Sequence, residues 1–117
     1  MNTTIKRWGP VLLYALIITT ISSIPSQQLP PGGFENSDKI AHLVLYSGAG
    51  FVARRAVASS PVAIVMVSAY GAFDELYQNL IPGRNCSASD WIADTVGGIV
   101  GALLYIWYEK SRRRPTP

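Results

Sequence analysis

The sequence predicts an all-α membrane protein, a single-domain bundle of four transmembrane helices. Hydrophobic residues make up 49% of the 117 residues and charged residues only 15%, against about 25% charged in an average soluble domain. Three intervals, residues 8–34, 56–73 and 95–108, carry no charged side chain. Because a membrane-crossing helix needs about 20 mostly apolar residues, these intervals favour several spans. The same composition excludes a disordered chain, and the single Cys86 excludes an internal disulfide framework.

The apolar segments define four predicted spans in one domain, residues 1–117. The four expected helices cover residues 8–24, 38–55, 61–81 and 90–108. A basic cytoplasmic tail, residues 109–117, follows them. The first helix tolerates Pro10 in its opening turn. The second is the least apolar because it contains His42, but its 18 residues still extend about 27 Å, and Arg54 and Arg55 can reach the interface. A soluble helical protein behind one anchor is the rival interpretation, which three further apolar segments with short connections make weaker.

Basic residues predict the orientation of the bundle. Eight of the ten Lys and Arg residues fall at the end that holds both termini, and the positive-inside rule places that end in the cytoplasm. Those eight are Lys6, Arg7, Arg54, Arg55, Lys110, Arg112, Arg113 and Arg114. We expect them to contact anionic membrane lipids. We expect no nucleic-acid partner, because no recognition domain accompanies the tail.

Acidic residues show the opposite distribution. Six of the seven Asp and Glu residues fall at the outer end of the predicted bundle. They are Glu35, Asp38, Asp74, Glu75, Asp90 and Asp94. Polar residues four positions apart share one helix face, as in the pairs Asp38–His42, Asp74–Gln78, Glu75–Asn79 and Asp90–Asp94. We expect Asp74 about 10 Å below the end of its helix at Ile81, in the same shallow layer as His42 and Asp94. Ionisable residues at such depth normally face the bundle interior or a water-filled cavity, so the sequence predicts an outward-facing polar pocket.

Small residues and a short repeat indicate how the helices pack. Gly97 and Gly101 form a GxxxG pair in the fourth helix, which predicts close helix packing and also allows two copies to pair as a homo-oligomer. Residues 37–42 and 89–94 share the pattern S-D-x-I-A-[HD]. This repeat suggests two helical hairpins related by an axis along the membrane normal, although common capping residues could produce it as well.

Each polar residue also has a purely structural interpretation. Asp38 and Asp90 both follow Ser and can cap helix N-termini. His42 and Asp94 can join helices through hydrogen bonds, which contribute about 0.6 kcal/mol each on average in membranes. Arg84 can be a loop charge or can pair with an acid of the third helix. There are more acidic residues than such structural roles can account for. The pattern therefore favours bound protons, a cation or a cationic ligand in the pocket.

Four groups of residues together resemble the VanZ-like family, whose name-giving member is linked to teicoplanin resistance. The groups are Asp38-Lys39-x-x-His42, Asp74-Glu75-x-x-Gln78, Ile81-Pro82-Gly83-Arg84 and Ser89-Asp90-x-x-Ala93-Asp94-Thr95-x-Gly97-Gly98-x-x-Gly101. The resemblance covers about residues 38–101 and implies a small multi-pass protein of the bacterial cell membrane that acts on the cell envelope. It implies no particular chemical mechanism. Members of the family often carry Asn where this chain has Asp94.

Two classes of function remain open. In the first, the protein is a non-catalytic module of the cell envelope. Its acidic outer pocket would hold a cationic or hydrogen-bonding part of an envelope lipid or a glycopeptide. The residues assigned to binding are Asp38, Lys39, Gln78, Arg84, Asp90 and Asp94.

In the second class, the protein is a membrane-embedded enzyme that acts on a lipid-linked or cell-wall substrate. The candidate catalytic residues are His42, Asp74 and Glu75: one carboxylate would act as general base, and His42 would carry the second proton. Arg84 would bind a phosphate or carboxylate of the substrate. A metal-dependent version would use the same three residues with Asp94 as ligands, and one His among carboxylates does not identify the metal. The sequence identifies no cofactor.

Overall fold

A computed structural model describes residues 3–23, 37–81 and 88–113, without the side chains of residues 37 and 38. The described residues form four helices and no strand, which confirms the all-helical prediction for this part of the chain. The helices are α1 (Thr3–Ser22), α2 (Ser37–Ala56), α3 (Ser60–Gln78) and α4 (Ala88–Arg113).

The start of α1 differs from the predicted span. The helix begins at Thr3, so Pro10 lies in its interior, and the placement of this proline in the first turn is wrong. An interior proline has no N–H and leaves the carbonyl four residues earlier without its helical donor. That carbonyl belongs to Lys6, and it accepts a hydrogen bond of 2.8 Å from Arg55 Nη1 of α2. A side chain of the neighbouring helix thus replaces the missing backbone bond.

The ends of α3 and α4 also differ from the predicted spans. Ser59 caps α3, its hydroxyl accepting a hydrogen bond of 3.4 Å from the Val62 N–H. The helix ends at Gln78, three residues before the predicted end. α4 continues to Arg113, so the first part of the predicted basic tail extends this helix. Three basic residues lie in its last turn, where the helix dipole favours positive charge.

The centre of the bundle is the contact between α2 and α4, and glycines make it possible. A Cβ atom on Gly101 would lie 2.0 Å from the carbonyl oxygen of Ser47, and one on Gly97 would lie 2.8 Å from that of Leu43. The two backbones therefore pack closer than any other residue would permit at these positions. This close packing is the role predicted for the GxxxG pair.

The helix contacts fit the predicted repeat only in part. α1 packs on α2 as α3 packs on α4, which two related hairpins require. The contact between α2 and α3 has no counterpart, because the backbone of α1 does not approach α4 in the described residues. The pseudo-symmetry of the two hairpins therefore does not include the position of α1.

The described helices expose many large apolar side chains and bury several polar ones beside a small apolar core. Large apolar side chains are exposed on all four helices, among them Leu16, Val44, Phe73 and Trp107. The buried polar residues are Ser22, Asp74, Glu75, Gln78, Asp90 and Asp94. Among the described helices, α4 is the one long and apolar enough to cross a membrane by length and composition. The bundle of four spans therefore stays a prediction.

Candidate functional site

Polar residues from three helices meet at one end of the bundle. α2 and α4 begin at this end and α3 ends there, so the first turns of two helices face the last turn of the third. Because α3 ends at Gln78, Asp74 lies about 6 Å from the helix end instead of the expected value of about 10 Å. At the rim, Lys39 Nζ of α2 lies 3.6 Å from Asp90 Oδ1 of α4.

His42 is the centre of the buried part of this cluster. Its Nδ1 lies 2.7 Å from Asp94 Oδ1 and 3.9 Å from Glu75 Oε1, so one imidazole contacts acids of both α3 and α4. Asp94 is 0% exposed, and its second oxygen, Oδ2, has no hydrogen-bond partner among the described residues. A Cβ atom on Gly71 of α3 would lie 3.1 Å from this oxygen, so the glycine leaves room for the carboxylate.

Tyr46 connects Asp74 to the same cluster, and the sequence analysis missed it. Its hydroxyl donates a hydrogen bond of 3.3 Å to Asp74 Oδ2, and the residue is only 1% exposed. The ring stacks on that of His42, with the centroids 6.3 Å apart. The sequence did contain a signal for Tyr46, because it follows His42 by four residues. The same spacing pairs the other polar residues of each helix.

α1 contributes hydroxyl groups that were also missed. Gln78 Nε2 donates a hydrogen bond of 3.3 Å to Ser22 Oγ, and the hydroxyls of Ser23 and Tyr77 lie 2.6 Å apart. Gln78 therefore faces α1, whereas His42 faces the acids of α3 and α4. In the sequence these serines belong to a run of small polar residues that carries no functional pattern of its own.

A cavity of about 510 Å³ lies beside the cluster, between α1, α2 and α3. Its polar lining consists of Ser22, His42, Tyr46, Asp74 and Gln78, and its other lining residues are Tyr14, Ile21, Ala41, Val44 and Leu45. Glu75 and Asp94 do not line it; they lie behind His42. The cavity thus combines a polar region, which includes the buried Asp74, with an apolar wall.

The cluster is suited to two kinds of chemistry. The contact with Asp94 engages the imidazole of His42 through Nδ1 and leaves Nε2 for a second partner, which is how a histidine is oriented for proton transfer. Alternatively, His42, Glu75 and Asp94 each place a donor atom within 4.8 Å of the others. A tetrahedral ion at about 2.1 Å from its ligands would hold them about 3.4 Å apart. The distance of 3.9 Å allows this arrangement, whereas the distance of 2.7 Å is a hydrogen bond that an ion would have to replace by moving His42 and Asp94 apart.

The structure brings most of the predicted site residues to this end of the bundle. Those placed there are Lys39, His42, Asp74, Glu75, Gln78, Asp90 and Asp94. Arg84, Glu35 and the side chain of Asp38 lie outside the described residues, so their predicted roles stay predictions. Cys86 also lies outside them.

Comparison with known proteins identifies the family. A model of the VanZ/LLP1 family matches residues 4–109, nearly the whole chain. No curated protein and no solved structure matches the chain. The matched region includes the whole His42 cluster and the glycine contact between α2 and α4. On this match the chain belongs to the VanZ/LLP1 family.

Proposed function

We propose that this protein crosses the bacterial cell membrane four times, with both termini in the cytoplasm. The distribution of exposed side chains supports this, because α1, α2, α3 and α4 all present large apolar residues on their outer surfaces. Water would penalise such a surface on every side, whereas lipid would not. Buried acids on the inner faces of the helices fit the same environment, since ionisable residues in membranes face the bundle interior.

Labelling of cysteine tests this topology. The single Cys86 falls between α3 and α4 and should react with a membrane-impermeant maleimide in intact cells. In the Cys86→Ser background, Arg113→Cys should react only after the membrane is permeabilised. Labelling of both positions from the same side would contradict the four-span arrangement.

The function that the geometry supports best is binding of an amphiphilic envelope component at the outer side of the membrane. The observation that carries this proposal is the cavity of about 510 Å³, which has both a polar region and an apolar wall. Asp74 is the acid that lines it, so the preferred head group carries a positive charge or hydrogen-bond donors. The apolar wall, which includes Ile21 and Leu45, would contact the acyl chain.

Membership of the VanZ/LLP1 family supports a role at the cell envelope. A ligand bound in the cavity would change how a glycopeptide such as teicoplanin reaches the membrane-bound precursors of the cell wall. Under this proposal the protein is a binding module, and resistance follows from the lipid or glycopeptide that it holds.

Thermal stability of the purified protein in detergent tests the binding proposal. The probes are lysyl-phosphatidylglycerol, phosphatidylglycerol with the same acyl chains, and teicoplanin. We expect the aminoacylated lipid to raise the melting temperature most, because its head group is cationic. Asp74→Asn should remove this protection, whereas Glu109→Gln, which removes one carboxylate at the other end of the bundle, should not. Equal protection of both variants, or protection by none of the probes, would overturn the proposal.

A second candidate function, acid–base catalysis, is favoured by the 2.7 Å contact between His42 Nδ1 and Asp94 Oδ1. In this version His42 takes a proton from a substrate bound in the cavity, or gives one to it, and Asp94 orients the ring. A bound divalent cation held by His42, Glu75 and Asp94 is the metal-dependent version. To separate the two functions, the susceptibility to teicoplanin is measured in cells that carry His42→Gln. A catalytic His42 predicts complete loss of function with normal membrane levels, whereas the binding module predicts a partial loss.

A further inference from the structure

A second large cavity of the described structure lies at the opposite end of the bundle from His42. It has a volume of about 820 Å³, within the range of about 300–1,000 Å³ typical of ligand sites. The basic residues that line it are Arg7, Arg54, Arg55, Lys110 and Arg113, and the one acid among its lining residues is Glu109. These basic residues come from α1, α2 and α4, so three helices converge on one space with a strong excess of positive charge.

Arg54 is held in a defined orientation within this site. Its Nε donates a hydrogen bond of 3.0 Å to Ser60 Oγ, and its Nη1 donates one of 3.1 Å to the Val57 carbonyl. The guanidinium also lies over the ring of Tyr105, 5.6 Å from the centroid. A guanidinium has five N–H donors, so these two hydrogen bonds leave donors for a ligand on a side chain that is already ordered.

Arg55 fixes the position of α1 at the edge of the site. Its Nη1 donates to the Lys6 carbonyl that Pro10 leaves without a helical donor. This hydrogen bond holds the start of α1 against α2 and thereby places Arg7 beside the cavity. Arg113 is different, because it is 81% exposed and its Nε lies 3.7 Å from Glu109 Oε2. Such an exposed ion pair is weak, so an incoming anion can compete with Glu109 for Arg113.

The positive-inside rule explains why basic residues occupy this end of the bundle, but it does not require them to surround one cavity. Like charges brought together repel each other unless an anion lies between them. The planar guanidinium group of arginine matches the geometry of phosphate oxygens and binds them through paired hydrogen bonds. We propose that this cavity is a specific binding site for a phosphate-bearing group, supplied either by an anionic phospholipid or by a free phosphate. The site is independent of the proposed function, because it shares no residue with the cavity beside His42.

Binding measured on the full-length protein in a neutral detergent tests this proposal. The probes are short-chain phosphatidylglycerol, phosphatidylcholine with the same chains, and inorganic pyrophosphate, each titrated by microscale thermophoresis. If the natural ligand is a lipid head group, phosphatidylglycerol should bind saturably, and phosphatidylcholine and pyrophosphate should bind much more weakly. Saturable binding of pyrophosphate at least as tight as that of phosphatidylglycerol would assign the site to a free phosphate. Absence of saturable binding for all anionic probes would overturn the proposal.

Two variants with the same net charge separate a specific site from general attraction to anions. Arg54→Gln removes the ordered guanidinium, whereas Arg112→Gln removes a basic residue of the same end that lines only the adjoining, smaller cavity. Charge-assisted hydrogen bonds contribute about 1.5–3 kcal/mol, so Arg54→Gln should weaken binding by about tenfold or more. Arg112→Gln should weaken binding less than Arg54→Gln, since Arg112 lies outside the cavity and its exposed charge is screened by salt. Equal losses in both variants would refute a specific site.

A third variant keeps the test decisive if Arg54→Gln does not fold. Arg113 is exposed and lies in the last turn of α4, so Arg113→Gln should leave the melting temperature unchanged. The proposal predicts weaker binding of phosphatidylglycerol by Arg113→Gln than by Arg112→Gln. Indistinguishable affinities for these two variants would contradict it.

Discussion

Substitution of Gly101 by alanine should separate α2 from α4 and disrupt the His42 cluster at a distance. The added Cβ atom would lie 2.0 Å from the Ser47 carbonyl oxygen and 2.6 Å from the Phe51 nitrogen. Both are backbone atoms of α2, so no side-chain rotation can relieve the overlap. Ordinary van der Waals contact begins near 3.4 Å, so the two helices must move apart by about 1.4 Å.

The expected loss of stability follows from two opposing effects. Overpacking typically costs about 1–3 kcal/mol, and a displacement of this size belongs at the upper end of that range. Replacement of a helical glycine by alanine returns about 1 kcal/mol through helix propensity. The net destabilisation should be about 2 kcal/mol, which corresponds to a fall of about 8 °C in melting temperature for a domain of this size.

The same displacement should reach the His42 cluster. Asp94 precedes Gly101 by seven residues, two helical turns or about 10 Å along the same face of α4. If the helices move as rigid bodies, the contact of 2.7 Å between His42 and Asp94 would open to about 4 Å, beyond the range of a hydrogen bond. Binding of lysyl-phosphatidylglycerol should therefore weaken together with stability.

Gly9→Ala is the matched control for this experiment. A Cβ atom at Gly9 would meet no atom within 4 Å, so only the helix-propensity term should act, and the melting temperature should stay equal or rise. Both variants are measured by thermal unfolding in the same detergent. A melting temperature of Gly101→Ala equal to or above that of the wild type would refute the close contact between α2 and α4.

Three further predictions concern individual side chains, and thermal unfolding checks each. Tyr46→Phe removes the hydrogen bond to Asp74 and should cost about 1 kcal/mol, whereas Tyr108→Phe, at an exposed position, should cost nothing measurable; equal values would contradict the role of Tyr46. Asp94→Asn keeps the shape of the buried side chain and should retain the fold, whereas Asp94→Ala leaves His42 without its acceptor and should lose more stability; the reverse order would be inconsistent with the contact. Arg55→Gln should destabilise the wild type but not Pro10→Ala, because alanine restores the backbone donor to Lys6; additive effects in this double-mutant cycle would argue against that hydrogen bond.

The spacing of polar residues predicted which side chains converge at one end of the described bundle. His42, Asp74 and Asp94 lie near one end of the bundle, because residues four apart share a helix face and the charge distribution sets which helix ends meet. Periodicity and charge are local properties of the chain, so both can be read before the fold is known. The close packing at Gly101 was predictable for the same reason, since a GxxxG pair exposes a strip of backbone.

Features that depend on contacts between helices could not be predicted in this way. The spacing from His42 indicates that Tyr46 lies on the polar face of α2, but its hydrogen bond to Asp74 depends on where α3 packs. The interior position of Pro10 depends on Arg55, a residue 45 positions later that replaces the lost backbone bond. The early end of α3 at Gln78 coincides with a side-chain contact to Ser22 of α1, which no pattern within α3 reveals.

The separation of α1 from α4 divides the molecule into two parts that can change independently. The acids of the described residues, His42 and the glycine contact all belong to α2, α3 and α4, whereas α1 supplies one side of the cavity beside His42 through Tyr14, Ile21 and Ser22. Replacement of those residues would reshape this cavity while leaving the buried carboxylates in place. Relatives that share the same acidic centre can therefore differ in the molecules they accept, and exchange of α1 between two of them should transfer that preference.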